Sequence, residues 1–480
     1  MRTHVHDYGP QDTSGILDGA VLMHRTMSDL ITARPDAVPH DLTRGAAALG
    51  TPAADDVVYA GNGPYAHLYH LWREENGGRH RIVREVHTTF WSGYWTQEEL
   101  CAPLHRPGDK VLFPSEYTRQ VFLRCFPGIP YEDAVVAYPM LDAMPRCAPR
   151  PAPAQGEVLR IGYLGALSTA KNFDQVLQAF ARCHADSGGR ARLVYAGKPN
   201  DPRWEREAVL DSLAERGVPA AHVTPLGLIG ADGLADFFAR VDVTLFPSTA
   251  SRESLGRVVF ESLAHGVPVL AAAMGPAVEL LPASHLVPAE LFGTPFAMDK
   301  VVALGRVDTD ALAARLLARD WEPARLQDTE AFELPAFWRA LTGADGPRPG
   351  TADGLRPGAA ATAAGHDADT VARLVVNPRR GLDPAAATAD AHQLFLDYFQ
   401  RRDDAVLRRV TGLEEATGTP RPDLRALVAA PARNLADYRA LPRLTDALVL
   451  PPLTYSLTPH PVLEHPVLEH PALEPEAVPV

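Results

Sequence analysis

Cysteine is scarce in this chain. Cys101, Cys125, Cys147 and Cys183 are the only four in 480 residues. None forms a C-x-x-C pair and no zinc-type spacing occurs. This excludes a disulfide scaffold, a zinc ribbon and a dithiol redox centre, and reduced thiols are expected. Long apolar runs are absent too: no stretch approaches the roughly 18 residues of a membrane helix. The opening MRTHVHDYGPQDTSG lacks the apolar core of a secretory leader. A cytoplasmic protein with no integral membrane segment is the expectation. Nor is there a basic excess. Lys and Arg number 46 against 59 Asp and Glu, a net charge of −13. That removes the electrostatic footprint of a nucleic-acid partner but leaves room for a local phosphate site.

What is present is an ordinary globular composition, 46% hydrophobic and 22% charged. The length suits two or three domains. From THVHDY through DVVYAG, RIVREVH and KVLFPS, short apolar strands alternate with helical patterns such as ILDGAVLMHRTMSDLI and the Ser-capped SEYTRQVFLRCF. RCAPRPAPAQGE, residues 146–157, reads as a Pro-rich linker. The alternation then resumes: VLRIGYLGAL, ARLVYAG, VTPLG, VTLFPS and VPVLAA as strands, with helices between them. Alternating strands and helices mean βαβ units and parallel sheets. The expected fold class is therefore α/β, with two Rossmann-like parallel-sheet domains facing a cleft, at 1–150 and 157–343. Residues 344–368 read as a Gly/Ala/Pro linker and 369–445 as a helical extension. Residues 446–480 read as a disordered Pro-rich tail ending in PVLEH-PVLEH-PALEP.

The segment SRESLGRVVFESLAHGVPVLAA, 251–272, carries the clearest chemistry. It follows the strand VTLFPS, so its first residues lie beyond a strand's carboxyl end, where open α/β sheets bind ligands. A helix starting near Leu255 or Gly256 offers free N–H groups and the positive end of its dipole. The amides of Ser254, Leu255 and Gly256 can hold a phosphate, and Gly256 permits close approach. Glu253 then faces the group beyond the phosphate, and Glu261 can accept hydrogen bonds from ribose hydroxyls. Sugar, diphosphate and ribose in a row describe a nucleotide-sugar. Upstream, YLGALSTAKNF places Lys171 after a Gly165 turn at a helix start, where an ammonium can neutralise a departing diphosphate. Neither a P-loop nor a G-x-G-x-x-G fingerprint is present. Gly227–Ile229 read as a loop on which a base could rest.

Together these motifs resemble the donor-binding domain of the GT4-type retaining glycosyltransferases of GT-B fold. The matching pieces are Gly165, Leu167, Lys171 and Asn172, the AG after the next strand, the LG before FFARVDVTLFPS, and ESLGRVVFESLAHGVPVLA. The match is strong over about 158–285 and weak over 1–145. The resemblance implies that Glu253 binds donor-sugar hydroxyls, that Glu261 holds the ribose and that Lys171 stabilises the diphosphate. It also implies roles in the first domain for Gly15, in the loop QDTSGI, and for His87, in REVHTTF, facing the sugar across the cleft. His87, Lys171 and Glu253 are thus the expected catalytic residues. Gly15, Gly165, Lys171, Glu253, Ser254, Leu255, Gly256 and Glu261 are the expected donor-binding ones.

No metal or cofactor is expected beyond the donor itself. The acceptor is expected to be a glycan or small molecule. Phe90, Trp91, Tyr94 and Trp95 read either as stacking faces for it or as domain core. In one place the sequence departs from the family: Ala166 stands where an Arg usually pairs with the lysine, and Arg252 or Arg257 would have to replace it. A non-catalytic nucleotide-sugar-binding or partner protein of the same fold is the alternative reading. A nicotinamide-dependent dehydrogenase is disfavoured because VYAGK offers no acid at the end of the second strand.

Overall fold

The computed structural model describes residues 1–6, 19–40, 50–61, 69–70, 72–73, 76–87, 101, 104–125, 129–250, 253–291, 303, 305–323, 325–326, 329–343 and 375–376. The expected linker, the Pro-rich tail and all but residues 375–376 of the expected helical extension lie outside these. Those two residues form a short strand on a small three-stranded sheet with Ala289–Leu291 and Gly305–Val307.

Two six-stranded parallel sheets organise the molecule. The first holds β1 (Thr3–His6), β2 (Ala37–His40), β3 (Val57–Gly61), β4 (Arg81–Glu85), β5 (Lys110–Phe113) and β6 (Ala134–Val136). Their order is β2-β1-β3-β4-β5-β6. Every residue of β3 is buried, as a parallel strand covered on both faces requires. The second holds β7 (Leu159–Leu164), β8 (Ala191–Ala196), β9 (Val223–Pro225), β10 (Val243–Phe246), β11 (Val269–Ala272) and β12 (Leu286–Val287). Its order is β9-β8-β7-β10-β11-β12. Chain order therefore reverses between β7 and β10, and a crevice opens there outside the strands' carboxyl ends.

The Pro-rich segment 146–157 that joins the two sheets is held rather than loose. Cys147 N donates to Ala264 O at 2.8 Å and Arg150 N to Gly266 O at 2.7 Å. Gly266 has φ +73°, and a Cβ on it would lie 2.1 Å from Ala148 O, so the linker's close crossing demands glycine. The chain also returns. The helix Leu334–Thr342 falls, by sequence, inside the expected second domain, yet it packs on the first sheet. Phe337 meets Tyr59 edge-on at 5.9 Å, and the Arg34 guanidinium lies over the Trp338 ring at 4.8 Å. Tyr138 N and Met140 N donate to Ala331 O and Phe332 O just ahead of that helix. One hydrophobic cluster consequently runs from Val5, Tyr59 and Phe337 to Phe260 and Leu281, joining the two domains.

Candidate active site

The crevice between β7 and β10 is built from two loops. After β7 the chain turns at Gly165, with φ +148°. A Cβ at the facing Gly197 would lie 1.7 Å from Gly165 O, so the two loops touch backbone to backbone only because position 197 is glycine. The Tyr163 hydroxyl donates to Ala166 O at 2.8 Å. Burial, and then the nearby Glu253 charge, raise its pKa, so the phenol keeps its proton and its role as donor.

The Lys-Asn pair ends this loop. Asn172 adopts the left-handed conformation, φ 55°, which asparagine tolerates better than most residues. Its buried amide Nδ2 donates to Pro247 O and Thr249 Oγ1, both at 2.9 Å. Those acceptors lie in the loop after β10. Asn172 thereby ties the two loops together and sets Lys171 at their junction. Lys171 Nζ lies 2.5 Å from Glu253 Oε2, and Ser248 Oγ donates to the same oxygen at 2.7 Å. The lysine side chain is 29% exposed and the glutamate 15%, so both still reach the crevice.

Beyond Glu253 the loop enters the helix Arg257–Ala264. Gly256 stands just ahead of it with φ 76°, and a Cβ there would lie 3.0 Å from the Phe246 ring. Glu261 sits about one turn in and is only 8% exposed. Arg257 Nε donates to its Oε1 at 2.6 Å. Gly165 and Lys171 thus lie in the segment that follows β7, and Glu253, Ser254, Leu255, Gly256 and Glu261 in the loop and helix that follow β10. Lys171 and Glu253 are in direct contact. Ala166 is exposed on the rim. Of the two arginines considered as substitutes for a family arginine there, Arg257 is paired with Glu261 and Arg252 lies outside the described residues. Leu228, in the loop after β9, is 54% exposed.

Of the residues expected to act from the first domain, His87 alone is among the described residues. Gly15 and the aromatic run 90–95 lie outside the described residues. The His87 imidazole is buried. Nε2 contacts Glu85 Oε2, and Nδ1 lies 2.8 Å from the Tyr138 hydroxyl. The reason is strand periodicity: residues 85 and 87 project to the same side, so the carboxylate captures the ring. His24 Nδ1 approaches Glu85 Oε2 as well, at 3.4 Å. Gly61 makes room for that ring, since a Cβ there would lie 2.2 Å from His24 Cε1. Burial opposes ionisation of Glu85, but the two imidazoles outweigh it and hold its pKa down to about 2. A depressed carboxylate stabilises the fold above its unfolded pKa, about 4.3, and that support is lost as pH falls toward the folded value. Glu85→Gln should therefore melt below wild type at pH 7. The difference should shrink between about pH 4.5 and 2, which thermal melts across that range will read.

Sequence reasoning missed several residues here. Ser115 Oγ and Thr118 Oγ1 from the first domain lie 2.6 and 3.0 Å from Ser254 O. The Glu279 carboxylate accepts the backbone N–H groups of Glu116, at 3.0 Å, and of Tyr117. The capping serine was visible in SEYT, but its partner across the crevice was not. His4 is buried against His40 Nε2 at 2.7 Å and Asp56 Oδ2 at 3.1 Å. Among the described residues no group of three or more His, Cys, Asp or Glu side chains is arranged to hold a metal ion. No described helix is long and apolar enough to cross a membrane.

The family described as glycosyl transferases group 1 matches residues 149–285. Two curated relatives are D-inositol 3-phosphate glycosyltransferases. That of Stackebrandtia nassauensis is 35% identical over 127 residues, covering 25% of this chain and 27% of that protein. That of Rhodococcus opacus is 34% identical over 116 residues, covering 24% and 26%. The chain spans about a quarter of the length of the curated relatives it matches. Among solved structures, the apo lipopolysaccharide outer core galactosyltransferase WaaB aligns with 72% of this chain and 100% of its own, at 15% identity and TM-score 0.48. Anabaena Alr3699/HepE in complex with UDP and glucose aligns with 84% and 97%, at 16% identity and TM-score 0.44.

Proposed function

We propose that the chain, whose residues 149–285 match the glycosyl transferases group 1 family, moves a sugar from a nucleoside diphosphate sugar to an acceptor hydroxyl. The observation that carries this reading is the Lys171–Glu253 contact at the point where strand order reverses. An ammonium and a carboxylate held side by side beyond strand ends suit a ligand with a diphosphate next to a polyhydroxylated ring. The diphosphate meets the amides of Ser254, Leu255 and Gly256 and draws the Lys171 ammonium toward it. Glu253 is then released to accept hydrogen bonds from sugar hydroxyls, while Ser248 continues to steady it. Glu261 accepts from the ribose.

Transfer proceeds with retention. The acceptor oxygen attacks the anomeric carbon on the face from which the diphosphate leaves, and a diphosphate oxygen takes the acceptor's proton. Catalysis is then positioning plus stabilisation of the leaving-group charge, and neither a metal nor a cofactor is required. The acceptor is a carbohydrate or small natural product bound by the first domain. As placed here, His87 has both ring nitrogens engaged, so contact with the sugar would need one of those bonds to exchange. The exposed Ala166, with no side-chain cation of its own, favours one competing reading: a protein that binds nucleotide-sugars without turning them over.

A thermal-shift panel of UDP, GDP, ADP and dTDP with their sugars tests the proposal. A ligand at 100 times its Kd should add about 2.7 kcal/mol of stability. One nucleotide should shift the wild type, and Glu261→Ala should abolish that shift. No shift with any nucleotide would remove the donor site. A shift without donor hydrolysis or transfer to any acceptor would favour the binding protein.

A further inference from the structure

Resting on the donor site proposed above, we propose that Ser115 and Thr118 of the first domain aim the Ser254–Leu255 peptide at the donor diphosphate. They are positioning residues, and the cradle is complete only when the two domains are docked.

The geometry is local and rigid. A trans peptide is planar, and its C=O and N–H point in opposite directions. Whatever holds Ser254 O therefore sets the direction of Leu255 N–H, one of the three amides in the cradle. Ser115 Oγ lies 2.6 Å from Ser254 O and Thr118 Oγ1 lies 3.0 Å from it. The two hydroxyls are 2.7 Å apart, and Ser115 Oγ also accepts Thr118 N–H at 3.1 Å. Two hydroxyl protons serve these contacts. Both are given to Ser254 O, while Ser115 Oγ accepts the Thr118 N–H. The loop is fixed on either side as well: Glu253 N donates to Ala250 O at 3.0 Å, and the Leu255 side chain is buried in the shared core. Turning the peptide over would break the hydroxyl contacts without gaining others in this arrangement.

The helix that carries these hydroxyls, Glu116–Cys125, is docked by the second domain. Glu279 takes the N–H groups of Glu116 and Tyr117, and Ser115 takes that of Thr118. The free donors at this helix start are thereby occupied by protein groups, so the helix end acts here as a docking surface and not as an anion site. The hydroxyls reach Ser254 O only while Glu279 holds the helix in place. This links donor affinity to the relative position of the domains.

The test uses the full chain with Thr118→Val, the double variant S115A/T118V, and Thr118→Ser as the conservative control. Titration calorimetry measures binding of UDP, GDP, ADP and dTDP, and of uridine, guanosine, adenosine and thymidine. For the base that binds, the double variant should lose about tenfold in affinity for the diphosphate, with the same rise in donor KM. Its affinity for the nucleoside, which lacks phosphates, should be unchanged. Thr118→Val should fall between, and Thr118→Ser should match wild type. Equal losses for nucleoside and diphosphate, or no loss, would overturn the proposal. So would a loss in Thr118→Ser equal to that in Thr118→Val. Should S115A/T118V fail to fold, Thr118→Val against Thr118→Ser decides by the same nucleoside comparison. A wild type that binds none of the diphosphates would instead bring down the donor-site reading itself, and this inference with it.

Discussion

Lys171→Met is expected to lower kcat for sugar transfer by about 10²- to 10³-fold, the effect of removing one preorganised charge-stabilising group, or about 2.7–4 kcal/mol. In the proposed reaction the charge that develops on the departing diphosphate is met by backbone amides and by this ammonium. Ala166 adds none, and Arg257 is bonded to Glu261. In that reaction the substitution also takes the Lys171 ammonium from between Glu253 and the diphosphate, so the loss includes a like-charge repulsion. That part is separable: Lys171→Met combined with Glu253→Gln should lose less than the two single losses added together, because the residues are in contact. Folding should survive. The Lys171 side chain is partly exposed, and the loop is held by the Asn172 amide and by Lys171 N donating to Ser168 Oγ. Single-turnover rates at saturating donor give the measurement. A loss under threefold would place the diphosphate elsewhere.

Asp109→Asn is expected to destabilise the first domain by about 3–5 kcal/mol, the cost of removing one member of a buried ion pair. Asp109 and Arg73 are each about 1% exposed, with Oδ1 and Oδ2 at 2.7 and 2.8 Å from the two guanidinium nitrogens. The same carboxylate accepts Ile82 N–H at 2.8 Å and Arg106 N–H at 2.9 Å. It therefore joins the start of β4 to the turn before β5. An asparagine offers one acceptor oxygen where two are used, and it leaves the guanidinium buried beside a neutral group. Burial disfavours the Asp109 charge, but Arg73 and the backbone donors overcome it and depress the pKa. Its contribution is accordingly present above the unfolded carboxylate range and lost as pH falls below it. Denaturant unfolding at pH 7 should show the deficit, and Arg73→Met should show a similar one. The double variant should fall well short of their sum. A deficit under 1 kcal/mol would mean the pair is dispensable.

Much of the candidate site could be read from local pattern. The run from Ser251 to Ala272 set a strand end, a glycine and a buried helix face in order. The helix begins at Arg257 with Gly256 just ahead of it, within two residues of expectation. Fully buried strands such as β3 and β10 were legible for the same reason: a parallel strand covered on both faces is a continuous apolar run. The short edge strands β2, β6 and β12, of two to four residues, were not. AVPH, AVV and LV carry too little pattern to distinguish from loop.

His87 shows where local reading stops. Its place after a central strand was clear from sequence, but its direction depended on Glu85, His24 and Tyr138. Tyr138 is 51 residues away, and no spacing rule connects them. The helix Leu334–Thr342 has the same lesson at larger scale. Its amphipathic face called for a partner, but not for the first sheet in particular, since apolar burial is non-directional.

The sequence by itself determined two parallel-sheet units, the loops that carry Lys171 and Glu253, and the glycines those loops require. These depend on periodicity and on backbone conformations that only certain residues adopt. Tertiary structure alone decided that Lys171 meets Glu253 across 82 residues, that Asn172 ties their loops together, and that Ser115, Thr118 and Glu279 close the seam from opposite domains. Each of those contacts is a hydrogen bond or ion pair only a few ångströms long. Its partners are chosen by strand order and domain docking, which neighbouring residues in the chain do not encode.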